Sequence, residues 1–242
     1  MHILAIECSN PGAAAEHAPA GSGPGVALGV MHAGGVDVLG VEPVRPSSRG
    51  GHDDDLMPAI DRLFKRAGVD PRSGTLGRVA VSIGPGGYTS VRVACAAGKM
   101  IAEACGARCV GVPSAGVVLE SMPAEARSGA VAVALAGKND SAWVQVFAEG
   151  AEGGPGRLMT AADVPKLFGA GVRMIVADRF LPAPLRAAAM SAGMEFREPV
   201  FDAAACLRLG ARLPAVDPVE LVPIYPREPD AVTLWRAKKQ TG

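Results

Sequence analysis

Between residues 79 and 105 the apolar positions change period. Val79-Ala80-Val81-Ser82-Ile83 is a short β-branched run of the kind that fills a buried strand. Gly84-Pro85-Gly86-Gly87 ends it, because proline lacks a donor and glycines favour conformations that other residues avoid. The polar residues Arg92, Lys99 and Glu103 then recur at helical spacing. This predicts a helix to about Cys105, capped by Thr89 or Ser90 at its start and by Gly106 at its end. Two apolar stripes result: Ala94, Gly98, Ile101 and Cys105 on one, and Val93, Ala97, Met100 and Ala104 on the other. A helix lying on a sheet needs only one. The second implies a further neighbour, and the pattern leaves open whether that is a helix of this chain or of another protein.

The flanking segments read in the same way. Residues 2–7 are a buried strand, residues 10–25 a long loop rich in Gly, Pro and Ala, and residues 26–31 and 36–41 a hairpin turned through Ala33-Gly34-Gly35. An amphipathic helix follows, with Leu56, Ile60, Leu63 and Ala67 on one stripe and Met57 and Phe64 beside it. Asp53, Asp54 and Asp55 stand at its positive end and Lys65 and Arg66 at its negative end, while Pro58 implies a late start or a kink in the first turn. Residues 108–112 form another strand. The order of three strands, helix, strand, helix, strand is an α/β unit on a mixed sheet.

Residues 113–242 repeat that order in degraded form, with strands at 131–135, 142–148, 157–160 and 174–177 and helices at 163–168, 184–192 and 203–213. Two duplicated subdomains are therefore expected, 1–112 and 113–242. Prolines at 214, 218, 223, 226 and 229 mark a tail that runs over the surface before residues 232–236 dock.

Composition narrows the functions. The 242 residues are 49% hydrophobic and carry 24 Lys plus Arg against 24 Asp plus Glu, so no global basic field holds nucleic acid. Any RNA contact is local or made by a partner. Cysteines at 8, 95, 105, 109 and 206 show no paired spacing, which fits reduced core thiols and the cytoplasm. No apolar run is long enough to span a bilayer, and MHILAIEC lacks the regions of a signal peptide. The histidines at 2, 17, 32 and 52 are too far apart in sequence for a helical ligand pair, so no metal is expected.

Three stretches invite chemistry. Gly84, Pro85, Gly86 and Gly87 lie between strand and helix, where an anion site is possible, but they match neither the Walker nor the dinucleotide pattern and equally suit a tight packing turn. Ser9, Cys8 or Ser114 could be activated by His52 with an Asp behind it, yet no nucleophile-elbow or cysteine-protease signature surrounds them. Arg227, Arg236, Lys238 and Lys239 could touch RNA held by a partner, or form a solvated tail.

Five segments in order resemble the TsaB family of the actin-like ATPase superfamily. They are Ile3-Leu4-Ala5-Ile6-Glu7-Cys8-Ser9; His52 and Asp54 with Leu56-Met57-Pro58-Ala59-Ile60; Gly84-Pro85-Gly86-Gly87-Tyr88-Thr89-Ser90-Val91-Arg92; Gly111-Val112-Pro113-Ser114; and Pro223-Ile224-Tyr225-Pro226-Arg227. The resemblance is strongest over residues 52–114. It implies an actin-like, RNase H-like fold and a non-catalytic cytoplasmic subunit in transfer RNA modification. Such a subunit pairs with a TsaD-like catalytic subunit, recruits a TsaE-like ATPase and meets tRNA only through the complex. It has no membrane role and can self-associate when alone.

The face implied is that of the two helices: Asp54, Leu56, Ile60, Leu63, Phe64, Thr89, Arg92, Val93, Ala97, Met100, Ile101 and Ala104. Departures remain. Glu7 replaces the usual acid and Cys8 the threonine, the loop at 10–25 is long, and Leu135-Ala136-Gly137-Lys138 stands where the family has I-D-A-R. These weigh against ATP between the halves, leaving no cofactor for the chain alone and ATP only at a partner interface. The alternative readings are a small-molecule kinase or ATPase with ATP in that cleft, and a glycoprotease-like hydrolase.

Overall fold

The computed structural model describes residues 1–10, 25–45, 55–148 and 153–227, together with 232, 235 and 236. The expectations placed on residues 11–24, His17, His52, Asp53, Asp54, Lys238 and Lys239 fall outside the described residues.

The first half forms β1 (His2–Glu7), β2 (Gly25–His32), β3 (Gly35–Pro43), α1 (Leu56–Ala67), β4 (Leu76–Ser82), α2 (Tyr88–Cys105) and β5 (Arg108–Val112). Its sheet runs in the order β3-β2-β1-β4-β5, antiparallel in the meander and parallel where helices make the crossovers. The second half forms β6 (Ala130–Lys138), β7 (Ser141–Phe147), β8 (Arg157–Met159), α4 (Val164–Gly169), β9 (Val172–Ala177), α5 (Ala183–Ser191) and β10 (Glu195–Arg197). That sheet is ordered β10-β9-β6-β7-β8 with the same directions. The duplication expected from element order is present strand for strand.

Two further helices, α3 (Ser114–Ser121) and α6 (Ala203–Arg212), occupy the layer between the sheets and pack on each other. They are exchanged. Ala115 and Val118 of α3 join Val131, Val133, Leu135 and Trp143 of the second sheet, whereas Ala203, Cys206 and Leu207 of α6 join Ile3, Ala5, Ala27 and Ala80 of the first. Covered on both faces, β1 is apolar at every position from Ile3 to Ile6. Leu4 and Ile6 face α1 and α2, and Ile3 and Ala5 face α6.

Strand β4 is approached by helices from opposite sides at two glycines. A Cβ at Gly98 of α2 would collide with the Val81 side chain, and one at Gly210 of α6 with Ala80. Absence of a side chain lets each helix axis come close.

Helix α1 is tied to β3 by charge. Glu42 accepts from Arg62 Nε at 2.8 Å and from Arg66 Nη1 at 2.7 Å, while Asp55 takes both Arg62 terminal nitrogens at 2.9 Å each. Asp55 sits at the helix N-terminus, yet its carboxylate serves Arg62 and the Arg45 amide instead of capping. Hydrogen bonding from Arg62 holds both carboxyls below their ordinary values of 4.5 and 3.8. A depressed folded value gives stability that is present above the unfolded value and lost as pH falls through the folded one. Wild type will therefore lose Tm as pH drops below about 4.5, and Arg62→Met will flatten that part of the profile in thermal melts from pH 7 to pH 3.

Candidate partner interface

Helix α2 divides its circumference between one fixed face and one open one. Ala94 and Gly98 of the first stripe are buried on β4, with Val91, Cys95 and Ala102 beside them. Ile101 and Cys105 are half-buried at the seam with α1. In the second stripe Ala97 is buried and Val93 half-buried, but Ala104 is exposed and Met100 is 65% exposed. Arg92, Ala96, Met100 and Ala104 follow one another at steps of four along the outside of the helix, all exposed. Ala96 was not among the expected interface positions, although its place midway between Arg92 and Met100 marks it.

Helix α1 corrects part of the expected set. Leu56 and Leu63 lie wholly within the core of the first lobe, 3% and 0% exposed, so neither can touch a second chain. The reason is the amphipathic stripe itself, which turns to β2 and β3. Ile60 and Phe64 are nearly buried but floor a groove of about 680 Å³ between α1 and α2, walled by Met57, Asp61 and Lys65 on one side and Ile101, Ala104 and Cys105 on the other. Met57 is 48% exposed at its edge.

The helix start differs from the expectation as well. Gly87, not Thr89 or Ser90, is the N-cap residue, with no side-chain cap, and Thr89 stays exposed. The turn is closed by the residues that follow β1 and by the start of α3. Gly87 N–H donates to Ser9 O at 2.7 Å, Gly84 O accepts from Ser114 N–H at 2.9 Å, and Asn10 Nδ2 donates to Pro85 O at 3.3 Å. A Cβ on Gly86 would strike the Ser9 carbonyl, so the stretch 84–87 serves close packing, with its Gly87 amide already used. The Gly84–Pro85 peptide is cis. At the C-terminus Gly106 takes φ +65°, as the expected left-handed cap requires.

Beside this turn lies a buried polar cluster. Glu7 Oε1 accepts from Ser9 N–H at 2.8 Å and from Ser9 Oγ at 2.7 Å, and Ser82 and Ser114 share a hydroxyl contact of 2.9 Å. Glu7 Oε2 has no partner among the described residues. Burial pushes the Glu7 carboxyl above its usual range, opposed by the nearby Ser82 hydroxyl and by the hydrogen bonds from Ser9. Ser9 and Ser114, the nucleophile candidates, are 0% exposed. Cys8 is buried as well. The thiols of Cys95 and Cys109 are pushed up to about 11 by burial. None of the five cysteines is in a disulfide, and no group of three or more potential metal ligands occurs among the described residues. No helix among them is long and apolar enough to cross a membrane.

Comparison with known proteins bears on what such a face serves. The family described as "TsaD: tRNA N6-adenosine threonylcarbamoyltransferase" matches residues 38–153, which include α1, α2 and the turn before α2. Solved structures extend the likeness over the whole fold. A Pseudomonas aeruginosa protein described as uncharacterized with similarity to peptidase YeaZ superposes with a TM-score of 0.65 at 17% identity, covering 93% of this chain and 99% of that one. YeaZ from Pseudomonas aeruginosa gives 0.65 at 18% identity with the same coverage. No curated protein matches. The two mixed sheets and their flanking helices are the fold seen in these YeaZ structures.

Proposed function

We propose that this chain is a non-catalytic TsaB-type subunit of the apparatus that places threonylcarbamoyl on the adenosine next to the tRNA anticodon. It docks on a TsaD-type catalytic subunit through α1 and α2. The TsaD-family match and the YeaZ-like fold support a TsaB-type role in tRNA modification. The observation that carries the docking role is the outward row of α2 beside the α1 groove, where Met57 and Met100 are exposed and Ala96 and Ala104 project little from the helix. Small side chains permit helix axes to approach to about 8–10 Å, and burying one methionine side chain contributes about 1.5–3 kcal/mol.

On this reading the chain recruits a TsaE-type ATPase, meets tRNA only within the complex, works in the cytoplasm and pairs with itself when its partner is missing. It carries no nucleotide of its own, and ATP enters only where the partners meet. Burial of the candidate serines and use of the Gly87 amide by Ser9 support this reading.

The test is reconstitution. Mixed with a purified TsaD-type subunit, the chain will elute as a 1:1 complex and will be required for modification of tRNA, while alone it modifies none. Calorimetry of the isolated chain with ATP and magnesium will give no binding heat. Tight ATP binding without complex formation would turn the reading to a small-molecule kinase or ATPase.

A further inference from the structure

The tail returns from α6 along the first lobe. Val216 and Cys109 of β5 exchange two backbone hydrogen bonds, of 2.7 and 3.1 Å. Leu221 is 2% exposed beside Gly111, and Ile224 N–H donates to Ile83 O at 2.8 Å. Three residues later the chain is anchored to the other lobe. Arg227 Nη1 donates to Ala136 O at 2.6 Å, and Nη2 donates to Ser141 O at 2.7 Å and Ser141 Oγ at 2.9 Å.

The receiving hairpin is shaped for this contact. Pairing of β6 with β7 shifts register between Leu135 and Lys138, and Ala136 in that bulge takes φ +51°, an uncommon region for a residue with a Cβ. A bulge re-aims the groups it contains. Here it belongs to the stretch whose Ala136 carbonyl receives the Arg227 fork. Guanidinium suits the task, since its planar fork reaches the two carbonyls with separate nitrogens held in fixed geometry, where an ammonium has a single nitrogen. Between the anchors the Tyr225 ring lies 5.6 Å from that of Tyr88 in the first turn of α2. The strap and that turn, with Ala136, Gly137 and Lys138, line a cleft of about 530 Å³ between the lobes.

We infer that residues 224–227 are an interlobe latch, in which Arg227 fixes the second sheet at a set distance from the first. Three residue steps carry the backbone at most about 11 Å from Ile224 to Arg227, so with both ends bonded the strap limits how far the cleft can widen. Pro226 has a fixed φ and no N–H to bond elsewhere, which keeps the strap extended. Release of Arg227 removes the strap's hydrogen bonds to the second sheet, and the cleft opens.

Distances between nitroxides at Glu103→Cys on α2 and Glu195→Cys on β10 read the lobe separation directly by double electron–electron resonance, in a Cys105→Ala background so that the remaining native thiols are buried. The parent will give one narrow distribution, and Arg227→Ala a longer mean and a wider spread. A distribution for Arg227→Ala that superposes on the parent overturns the latch. Should the alanine chain fail to fold, Arg227→Gln, which keeps a donor for one carbonyl and loses the other, is measured in its place with the same two outcomes.

Discussion

Replacing Met100 by glutamate will abolish capture of a TsaD-type subunit and leave the isolated chain folded. Met100 is 65% exposed at the middle of the outward row of α2, so its side chain contributes little to its own lobe. Substitutions at such sites change stability by about 0.5 kcal/mol or less, which in a chain of this size is about 1–2 °C in Tm. In a docked helix pair the same position becomes central and dry. A carboxylate left there without a counter-charge costs at least about 2–4 kcal/mol, a weakening of about 30-fold to 1,000-fold in Kd. The informative contrast is Gly98→Glu, two residues away. Its Cβ would collide with Val81, and its charge would enter the sheet-facing core, so that chain will not fold. Charge at Gly98 therefore reports on the fold and charge at Met100 on the partner. Size-exclusion chromatography with the TsaD-type subunit, beside a thermal melt of each variant, measures both. A Met100→Glu chain that still elutes in complex with wild-type affinity would remove the α2 face from the proposal.

That contrast shows what local pattern conveys and what it omits. Both stripes of α2 were legible, because polar Arg92, Lys99 and Glu103 leave two apolar arcs at period 3.6. Which arc faces the sheet was not, since Ala97 and Gly98 are equally small and the choice is made by the fit of Gly98 to Val81, a residue of another strand. Helix α1 was legible, although it starts at Leu56 and not after Pro58, and its strongest apolar positions proved to be core. Exposure at Met57 is what its stripe leaves over.

Helix α3 escaped notice because Ala115, Val117 and Val118 lie between two sheets, and a segment enclosed on several sides has no polar arc to give it period. The packing of α6 on α3 and on the first sheet pairs residues more than 80 positions apart, and no local signal encodes it. The Pro223 to Arg227 segment carried a family likeness, but its work as a strap depends on where the 136–141 hairpin lies in space. For the turn at 84–87 the sequence left two readings, and the Ser9 carbonyl on the Gly87 amide decides for packing.

The same closure bears on Glu7, whose replacement by glutamine will raise Tm at neutral pH. The residue stands where the TsaB resemblance places an acid, yet it is 0% exposed and one of its oxygens lacks a partner among the described residues. Burial raises its folded carboxyl above the ordinary 4.5, so between that value and the folded one the native state holds a proton that the unfolded chain has released. The sign follows directly. Stability from the neutral carboxyl is complete below about pH 4.5 and is lost as pH rises through the folded value, the reverse of the Glu42 and Asp55 network. Glutamine keeps an oxygen for the two donors of Ser9 and cannot ionise. The Tm gap between Glu7→Gln and wild type will therefore be small at pH 4, open as pH rises, and level off once the wild-type carboxyl has ionised in the folded state. Each kcal/mol of that gap is worth about 2–4 °C in a chain of this length. Melts of the two chains from pH 4 to pH 9 measure it, and parallel profiles throughout would show that Glu7 does not hold its proton in the folded protein. A gap that opens as described would mean that this acid is spent on the core of the first lobe and offers no carboxylate to the cleft.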